Sequence, residues 1–282
     1  MLLNIQQDES LHSYIDRNIF LDWQGPAAIF FKQFSKSVLS FGELKTIASA
    51  MGWERSIGLN RLLHLHTDYP RNYIFKNSRN LYFAQYENLE RTRCAETKRD
   101  PPSFCVECIK DDLSTHGFSF WRRSHQVDIK VCAKHNVLLQ KNCPFCGRSF
   151  THEGHGLDVL WSGCEGRSLV SSVAVINDDQ FECKRSKILS EIYASKYRVS
   201  ESAAQNLLLE KISSNRFNQD VLVVRFLKDI ISSAKAEGTC VSGDSRFNGL
   251  IFEAIAIAYD SFNLFLDDMR RELNEFYSIN LI

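Results

Sequence analysis

Apolar positions at helical spacing open the chain and recur along most of its length. In the segment "DESLHSYIDRNIF", four apolar residues fall three or four positions apart: Leu11, Tyr14, Ile15 and Ile19. This period predicts an amphipathic helix, and either Asp8 or Ser10 is placed to cap its start. The segment "PAAIFFKQFSKSVLS" predicts a second short helix that begins at Pro26, because proline fits the first helical turn.

The same period predicts two further helices joined by a tight turn. Ser40 and Glu43 form an S-x-x-E capping box at the start of the first, and Gly52 interrupts its apolar run. The second helix is predicted from Ser56 to His66. Such a pair is typical of a helix-turn-helix, although a helical hairpin that docks on a protein has the same pattern. In a helix-turn-helix, the residues expected to contact DNA are Arg55, Ser56, Asn60, Arg61 and His64.

After about residue 185, apolar residues again recur at helical spacing, and this pattern predicts four helices. The most apolar stretch, "GLIFEAIAIAYDSFNLFLDD", is interrupted by Glu253 and Asp260. It therefore predicts a buried amphipathic helix rather than a membrane span. The apolar faces of these helices are consistent with a homodimer, and an intramolecular bundle would show the same pattern.

Composition and the N-terminal sequence indicate the compartment in which the protein acts. The chain has 282 residues, 44% of them hydrophobic, with 34 basic and 34 acidic side chains, so net charge does not by itself indicate nucleic acid. The N-terminus has no signal-peptide pattern. We expect a cytoplasmic protein, associated with the bacterial nucleoid and not with a membrane, and in such a reducing compartment clustered cysteines favour a metal over disulfides.

Five of the nine cysteines lie between residues 104 and 147. Cys105-x2-Cys108 is followed by Cys132-x2-His135, and two such pairs supply the four ligands of a closed tetrahedral zinc site. A closed site has no open coordination position, which argues against a catalytic metal. A redox CxxC motif is the alternative interpretation, but the sequence around it lacks a thioredoxin-like pattern.

A second zinc site begins at Cys143-x2-Cys146, with Cys164 as the third predicted ligand. The fourth ligand is open among four candidates: His152, His155, Cys183 and Glu165. The alternative is a degenerate ribbon held together by the packing of Phe145, Phe150 and Trp161. Cys94 and Cys240 show no metal partner in the sequence.

Aromatic and basic residues separate the two pairs of the first site. Phe118, Phe120 and Trp121 are expected to pack the short strands of a zinc ribbon. Arg122 and Arg123 are expected either to present a basic edge that contacts phosphate or to form a solvated pair. His125 is interpreted as a structural hydrogen-bonding group.

Together these residues resemble the TniQ/TnsD family of transposition proteins. The opening "DESLHSYIDRNI" is similar to the family's E-S-L-x-S-x-x-x-R, and the combined pattern covers about residues 8–170. The cysteine-rich block resembles the family's pattern C-x2-C…G-x3-W-R-x2-H-Q…V-C-x2-H-x-x-x-L…C-P-x-C-G. The residues that match this second motif are Cys105, Cys108, Gly117, Trp121, Arg122, His125, Gln126, Val131, Cys132, His135, Leu139, Cys143, Pro144, Cys146 and Gly147.

The resemblance implies a nonenzymatic adaptor for target-site selection in DNA transposition. Such adaptors combine helix-turn-helix elements with zinc ribbons. They connect a target, either a DNA site or a CRISPR effector complex with its guide RNA, to an AAA+ ATPase that recruits the transposase. Cys105, Cys108, Cys132 and His135 carry over as zinc ligands. The second ribbon of many relatives closes with two nearby cysteines, whereas this sequence has only Cys164.

These observations predict a mainly α-helical fold with small zinc-ribbon β elements. The predicted domains are a helix-turn-helix region over residues 1–100, zinc ribbons over 101–170 and a helical bundle over 185–282. No phosphate-binding loop or nucleophile motif indicates an enzyme. The alternatives are a zinc-ribbon transcriptional regulator and a metal-dependent nuclease or hydrolase.

Overall fold

The structure is a computed structural model, and it describes residues 2–53, 55–76, 97–98, 101–125, 128–151, 154–214 and 245–279. The described chain is mainly helical, as predicted. One of the four helices predicted after about residue 185, in the segment "QDVLVVRFLKDIISSAKAEG" (residues 219–238), lies outside the described residues, as do Cys94, Gln126, His152 and Cys240.

The helices and strands follow one another in this order. Within the described ranges the helices are α1 (Leu11–Asp22), α2 (Pro26–Lys32), α3 (Phe41–Ala50), α4 (Arg55–His66), α5 (Tyr69–Tyr73), α6 (Val106–His116), α7 (Val159–Ser162), α8 (Gln180–Ala194), α9 (Glu201–Ser214), α10 (Ser245–Ala258) and α11 (Phe262–Ile279). Strands β1 (Val38–Leu39) and β2 (Thr97–Lys98) pair antiparallel, with Val38 opposite Lys98. No described helix combines the length and the apolar character needed to cross a bilayer.

The chain divides into two compact units. The first comprises Met1–Tyr69 and Ala84–Ser186, and the second comprises Pro70–Phe83 and Lys187–Ile282. The first unit thus joins most of the predicted N-terminal region and the predicted ribbon region in one body. The division into domains 1–100, 101–170 and 185–282 stays a prediction.

The helix starts predicted from the sequence are confirmed. Ser10 caps α1, because its side chain accepts a hydrogen bond from the backbone N–H of Ser13 at 3.2 Å. Pro26 is the first residue of α2. At the start of α3, the backbone N–H of Ser40 donates to Oε2 of Glu43 at 2.9 Å, as a capping box requires.

Two residues of the N-terminal motif, Glu9 and Arg17, form a buried ion pair. Arg17 donates from Nε and Nη2 to the two oxygens of Glu9, at 2.9 and 2.8 Å, and both side chains are at most 2% exposed. Burial raises the pKa of Glu9, although the hydrogen bond from Arg17 opposes this shift. The motif residues are therefore internal structural groups.

The same motif holds a segment more than 100 residues away. The backbone N–H of Trp121 donates to Oγ of Ser13 at 3.0 Å, and the N–H of Ser10 donates to the carbonyl of Trp121 at 2.9 Å. The Arg17 guanidinium lies 4.7 Å from the centre of the Phe118 ring. These contacts fix residues 118–121 against α1.

The zinc-ribbon strands expected between the first two ligand pairs are not formed in the described chain. Helix α6 begins directly after Cys105, and the rest of the block is connected by isolated β-bridges. The expected packing of the aromatic residues on short strands was therefore wrong. Instead Phe118 contacts Arg17, Phe120 contacts Arg122, and Trp121 packs on Phe150.

The second unit has an aromatic core of its own. Phe75 contacts Phe262 and Phe265 of α11, with ring centres 6.3 and 6.4 Å apart. Glu191 of α8 accepts a hydrogen bond from the backbone N–H of Phe262 at 2.6 Å, so its carboxylate caps the start of α11. Lys211 of α9 bonds to Asp268 of α11 at 2.9 Å. The predicted intramolecular helix packing is thus present.

Candidate metal centres

The first cluster unites Cys105, Cys108, Cys132 and His135, whose ligand atoms all lie within 4.8 Å of one another. Cys105 immediately precedes α6, and Cys108 lies in its first turn. Cys132 and His135 come from a tight turn between residues 131 and 138, which pair across an isolated bridge. One helix start and one hairpin turn therefore present the four ligands.

The spacing of these atoms fits a tetrahedral ion. Nδ1 of His135 lies 3.4 Å from Sγ of Cys105, 3.3 Å from Sγ of Cys108 and 3.7 Å from Sγ of Cys132. With Zn–S bonds of about 2.3 Å and Zn–N bonds of about 2.0–2.1 Å, the edges of a zinc tetrahedron are about 3.5–3.8 Å long. The four ligand atoms are thus already gathered at the separation that one ion requires.

Neighbouring polar groups orient this first cluster. Nε2 of His135 lies 3.2 Å from Oδ2 of Asp111, which also pairs with Lys134. A carboxylate on the far nitrogen fixes the ring of a metal-binding histidine. Hydrogen bonds from the Cys105 and Cys108 thiols, and a further one from His125, lower the pKa of Cys132. A thiolate is the form of cysteine that binds metal.

Sequence reasoning did not identify Asp111 as a partner of the cluster. The position of Asp111 three residues after Cys108, on the same face of α6, is the signal that could have found it.

The second cluster unites Cys143, Cys146, His155 and Cys164, again with all ligand atoms within 4.8 Å. Nε2 of His155 lies 3.0 Å from Sγ of Cys146. A hydrogen bond from the backbone N–H of Arg148 lowers the pKa of Cys146 to about 7. Of the four candidates for the fourth ligand, the structure brings His155 to the three cysteines. Cys183 and Glu165 are not members of the cluster, and His152 lies outside the described residues.

Three turns with left-handed residues shape the two clusters. Asn136 and Gly147 each stand four residues after the first ligand of their turn, with φ of 52° and 74°. Their N–H groups donate to the carbonyls of Cys132 and Cys143, both at 2.9 Å. After Cys164, Glu165 and Gly166 have φ of 52° and 79°, as the two central residues of a type I′ hairpin turn do.

An apolar core surrounds the second cluster. Cys143 and Cys164 are buried in it beside Phe150, Leu157 and Leu160. The rings of Phe104 and Phe150 meet edge to face, with centres 5.3 Å apart. The packing that had been the alternative to a metal site thus coexists with a complete set of metal-ligand residues.

Two of the residues predicted to contact DNA are buried. In α4, Asn60 and His64 are 1% and 4% exposed, whereas Arg61 is exposed and its guanidinium lies 4.3 Å from the centre of the Trp53 ring. Ser56 is half-buried. The side chain of Arg55 lies outside the described side chains. Base contact from Asn60 and His64 is disfavoured by this burial, so DNA contact by α4 stays a prediction carried mainly by Arg61.

The basic edge expected from Arg122 and Arg123 is not formed. Arg122 bonds to Asp112 at 2.5 Å, and its side chain is 16% exposed. Arg123 is 8% exposed; it pairs with Asp8 at 3.3 Å and donates to the backbone carbonyl of His64. Both guanidinium groups are used to join parts of the first unit, so neither the phosphate contact nor the solvated pair describes them. His125 is buried, which agrees with a structural role.

Fold and clusters together define a class: a mainly helical protein with two Cys3His clusters that could hold metal ions. The model of the TniQ family matches residues 1–139. This match supports a TniQ-like transposition protein, and it confirms the resemblance drawn from the motifs. TniQ proteins are a non-catalytic family with an adaptor role in transposition. No curated protein matches the chain.

Proposed function

We propose that this chain is a nonenzymatic zinc-binding adaptor that selects target sites for DNA transposition. It links a target, either a DNA site or a CRISPR effector ribonucleoprotein, to an AAA+ transposition ATPase and through it to the transposase. It acts in the cytoplasm, at the nucleoid. The observation that carries the proposal is the TniQ match over residues 1–139, which contains all four residues of the first cluster.

Zinc is the proposed ion at both clusters. Each offers three sulfur atoms and one imidazole nitrogen, a ligand set typical of structural zinc, and four protein ligands leave no open position for a substrate. The metal would accordingly supply folding energy and fix the turns around it, rather than chemistry. Cys105, Cys108, Cys132 and His135 would hold the first ion, and Cys143, Cys146, His155 and Cys164 the second.

The proposal also concerns the kind of target that the adaptor recognises. The net charge of the chain is balanced. In addition, Asn60, His64 and Arg123 are buried, so the described part of the predicted DNA-contact set has few exposed groups. This favours an adaptor that meets its target mainly through protein. The alternative, a transcriptional regulator, requires α4 to read a promoter sequence.

The test is reconstitution with the AAA+ ATPase encoded in the same genetic neighbourhood. We expect the full chain, loaded with zinc, to co-purify with this ATPase in the presence of ATP. Arg61→Glu, compared with Arg270→Glu in the second unit as the matched control, reports whether α4 takes part in DNA binding. Absence of ATPase binding, together with binding to one promoter that Arg61→Glu abolishes, would establish the regulator instead.

A further inference from the structure

A short extended segment, residues 173–177, leaves large apolar side chains in solvent. Val173 and Ile176 are each 79% exposed and Val175 is 50% exposed, while Leu138 beside them is 40% exposed. Contiguous exposed apolar side chains on a soluble protein mark a binding surface or an aggregation hazard. We refer to residues 173–177 as the apolar edge; it lies beyond residue 139, where the family match ends.

The backbone of the apolar edge is paired on one side. The N–H of Leu138 donates to the carbonyl of Val175 at 2.9 Å, and the N–H of Asn177 donates to the carbonyl of Asn136 at 3.0 Å. Ile176 lies opposite Val137 in this antiparallel pairing. Residues 136–140 therefore form the inner strand, and the apolar edge forms the outer one.

The other side of the apolar edge is open. Alternate residues of a strand direct their N–H and C=O groups to opposite sides. Because Val175 and Asn177 face the inner strand, the groups of Ala174 and Ile176 face outward. Within the part of the chain that the structure describes, these outward groups make no hydrogen bond. Edges of this kind are usually protected by charges, proline or a bulge, and Val173, Val175 and Ile176 provide none of these.

We propose that the apolar edge binds an extended, apolar segment of a partner protein, which adds to it as a further strand. The outward N–H and C=O groups of Ala174 and Ile176 would pair with the backbone of that segment, and the exposed valine and isoleucine side chains would contact its apolar residues. Asp178, exposed at the end of the edge, favours a segment that carries Lys or Arg there. The proposed adaptor function assigns no role to these residues, so this inference stands apart from it.

The size of the apolar edge decides between a partner segment and a second copy of the chain. Five residues extend over only about 17 Å, at about 3.3–3.4 Å per residue. Two such edges paired with each other cover far less than the about 1,200–2,000 Å² that a stable interface buries. A segment of a larger partner that is held by another contact can use a weak site, because tethering raises its effective concentration.

A synthetic peptide tests the proposal on the full, zinc-loaded chain. The probe is a ten-residue peptide of alternating Val and Thr with Lys at one end, and its control has N-methyl groups on alternate backbone nitrogens. We expect the probe to slow hydrogen exchange at the Ala174 and Ile176 amides and the control to leave it unchanged. Equal binding of both peptides, or protection only at other amides, would overturn the proposal.

Substitutions locate the binding to the apolar edge. Ile176→Lys should weaken probe binding about tenfold, because it removes apolar contact at the edge. The matched control is Ile29→Lys, which changes a residue of α2 that is 66% exposed and should leave binding unchanged. If Ile176→Lys disturbs folding, Val173→Thr gives the smaller change. Protection of Ala174 and Ile176 that rises with protein concentration alone would make a second copy the occupant and reject the partner segment.

Discussion

Single residues explain why two distant sequence motifs occur together in this chain. Glu9 and Arg17 form one buried pair, and Ser13 beside them binds the backbone of Trp121. These contacts within the chain explain why the motif contains these residues, without any contact to a partner protein. At this scale the N-terminal motif serves to hold the segment that lies between the ligand pairs of the first cluster.

Removal of Arg17 should be severe for this reason. Arg17→Met leaves the Glu9 carboxylate buried without its guanidinium, and we expect a loss of about 3–5 kcal/mol in the free energy of unfolding, measured by urea denaturation. The double variant Glu9→Gln, Arg17→Met should recover a large part of that loss, because no charge is then buried. A double variant that is less stable than Arg17→Met alone would show that the pair does not act in this way.

The fourth ligand of the second cluster can be tested by metal stoichiometry. Zinc-loaded wild type should contain two ions per chain, one for each cluster, and His155→Ala should lose the second ion or hold it weakly. Cys183→Ser is the matched control, because Cys183 belongs to neither cluster. Elemental analysis of the purified variants measures the result, and unchanged zinc in His155→Ala would reject His155 as a ligand.

At the scale of elements, the helix starts and the turns follow from local chemistry. The capping box of α3 is a clear case: Lys36 lies 2.7 Å from Glu43, and the hydrogen bonds from Lys36 and then from Ser40 lower the pKa of Glu43 to about 2. Residues less than eight positions apart fix this start, so the sequence alone was enough to predict it.

Replacement of Glu43 should weaken this helix start in a pH-dependent way. Glu43→Ala is expected to reduce the free energy of unfolding by about 1 kcal/mol at pH 7, whereas Lys45→Ala on the exposed side of α3 should have little effect. Because the folded pKa is below the unfolded one, the ionised carboxylate contributes fully above about pH 5, and its contribution decreases as the pH falls toward 2. The difference between wild type and Glu43→Ala should therefore shrink from pH 7 to pH 3. A constant difference in denaturation experiments would contradict this account.

The same locality explains what could and could not be predicted. The first cluster follows from two short ligand spacings, and the turn after Cys143 from its glycine. His155 stayed one of four candidates because it lies in a segment where the candidate ligands have no regular spacing. Only the packing of the folded core decides which of them reaches the three cysteines. Asn60 and His64 were assigned to a surface because a helical period shows which residues share a face, but not which face another segment covers. Arg123 was assigned to a surface from its charge, and the sequence does not show its partners Asp8 and His64. Glu9 and Arg17 are the first and last residues of the motif E-S-L-x-S-x-x-x-R, but the motif alone does not show that they form a buried ion pair.

For the whole molecule, the two units should respond differently to loss of metal. Both clusters lie in the first unit, and the described residues of the second unit contain none. Since metal binding contributes directly to folding, a chelator should speed hydrogen exchange in α1, α6 and residues 131–147. The amides of α9 and α11 should keep their exchange rates, and added zinc should restore the others. Cys105→Ser should reproduce the effect of the chelator without it, and equal acceleration in both units would contradict the assignment.

The core around the second cluster has a consequence for how this protein can be shortened. The family match ends at residue 139, yet Phe104 and Trp121 pack on Phe150, with ring centres 5.3 and 5.2 Å away. A fragment cut at residue 139 would keep every ligand of the first cluster and lose the side chains that cover these rings. The stretch that matches the family model thus ends inside the first compact unit, and we expect a stable fragment to continue through the second cluster to about residue 186.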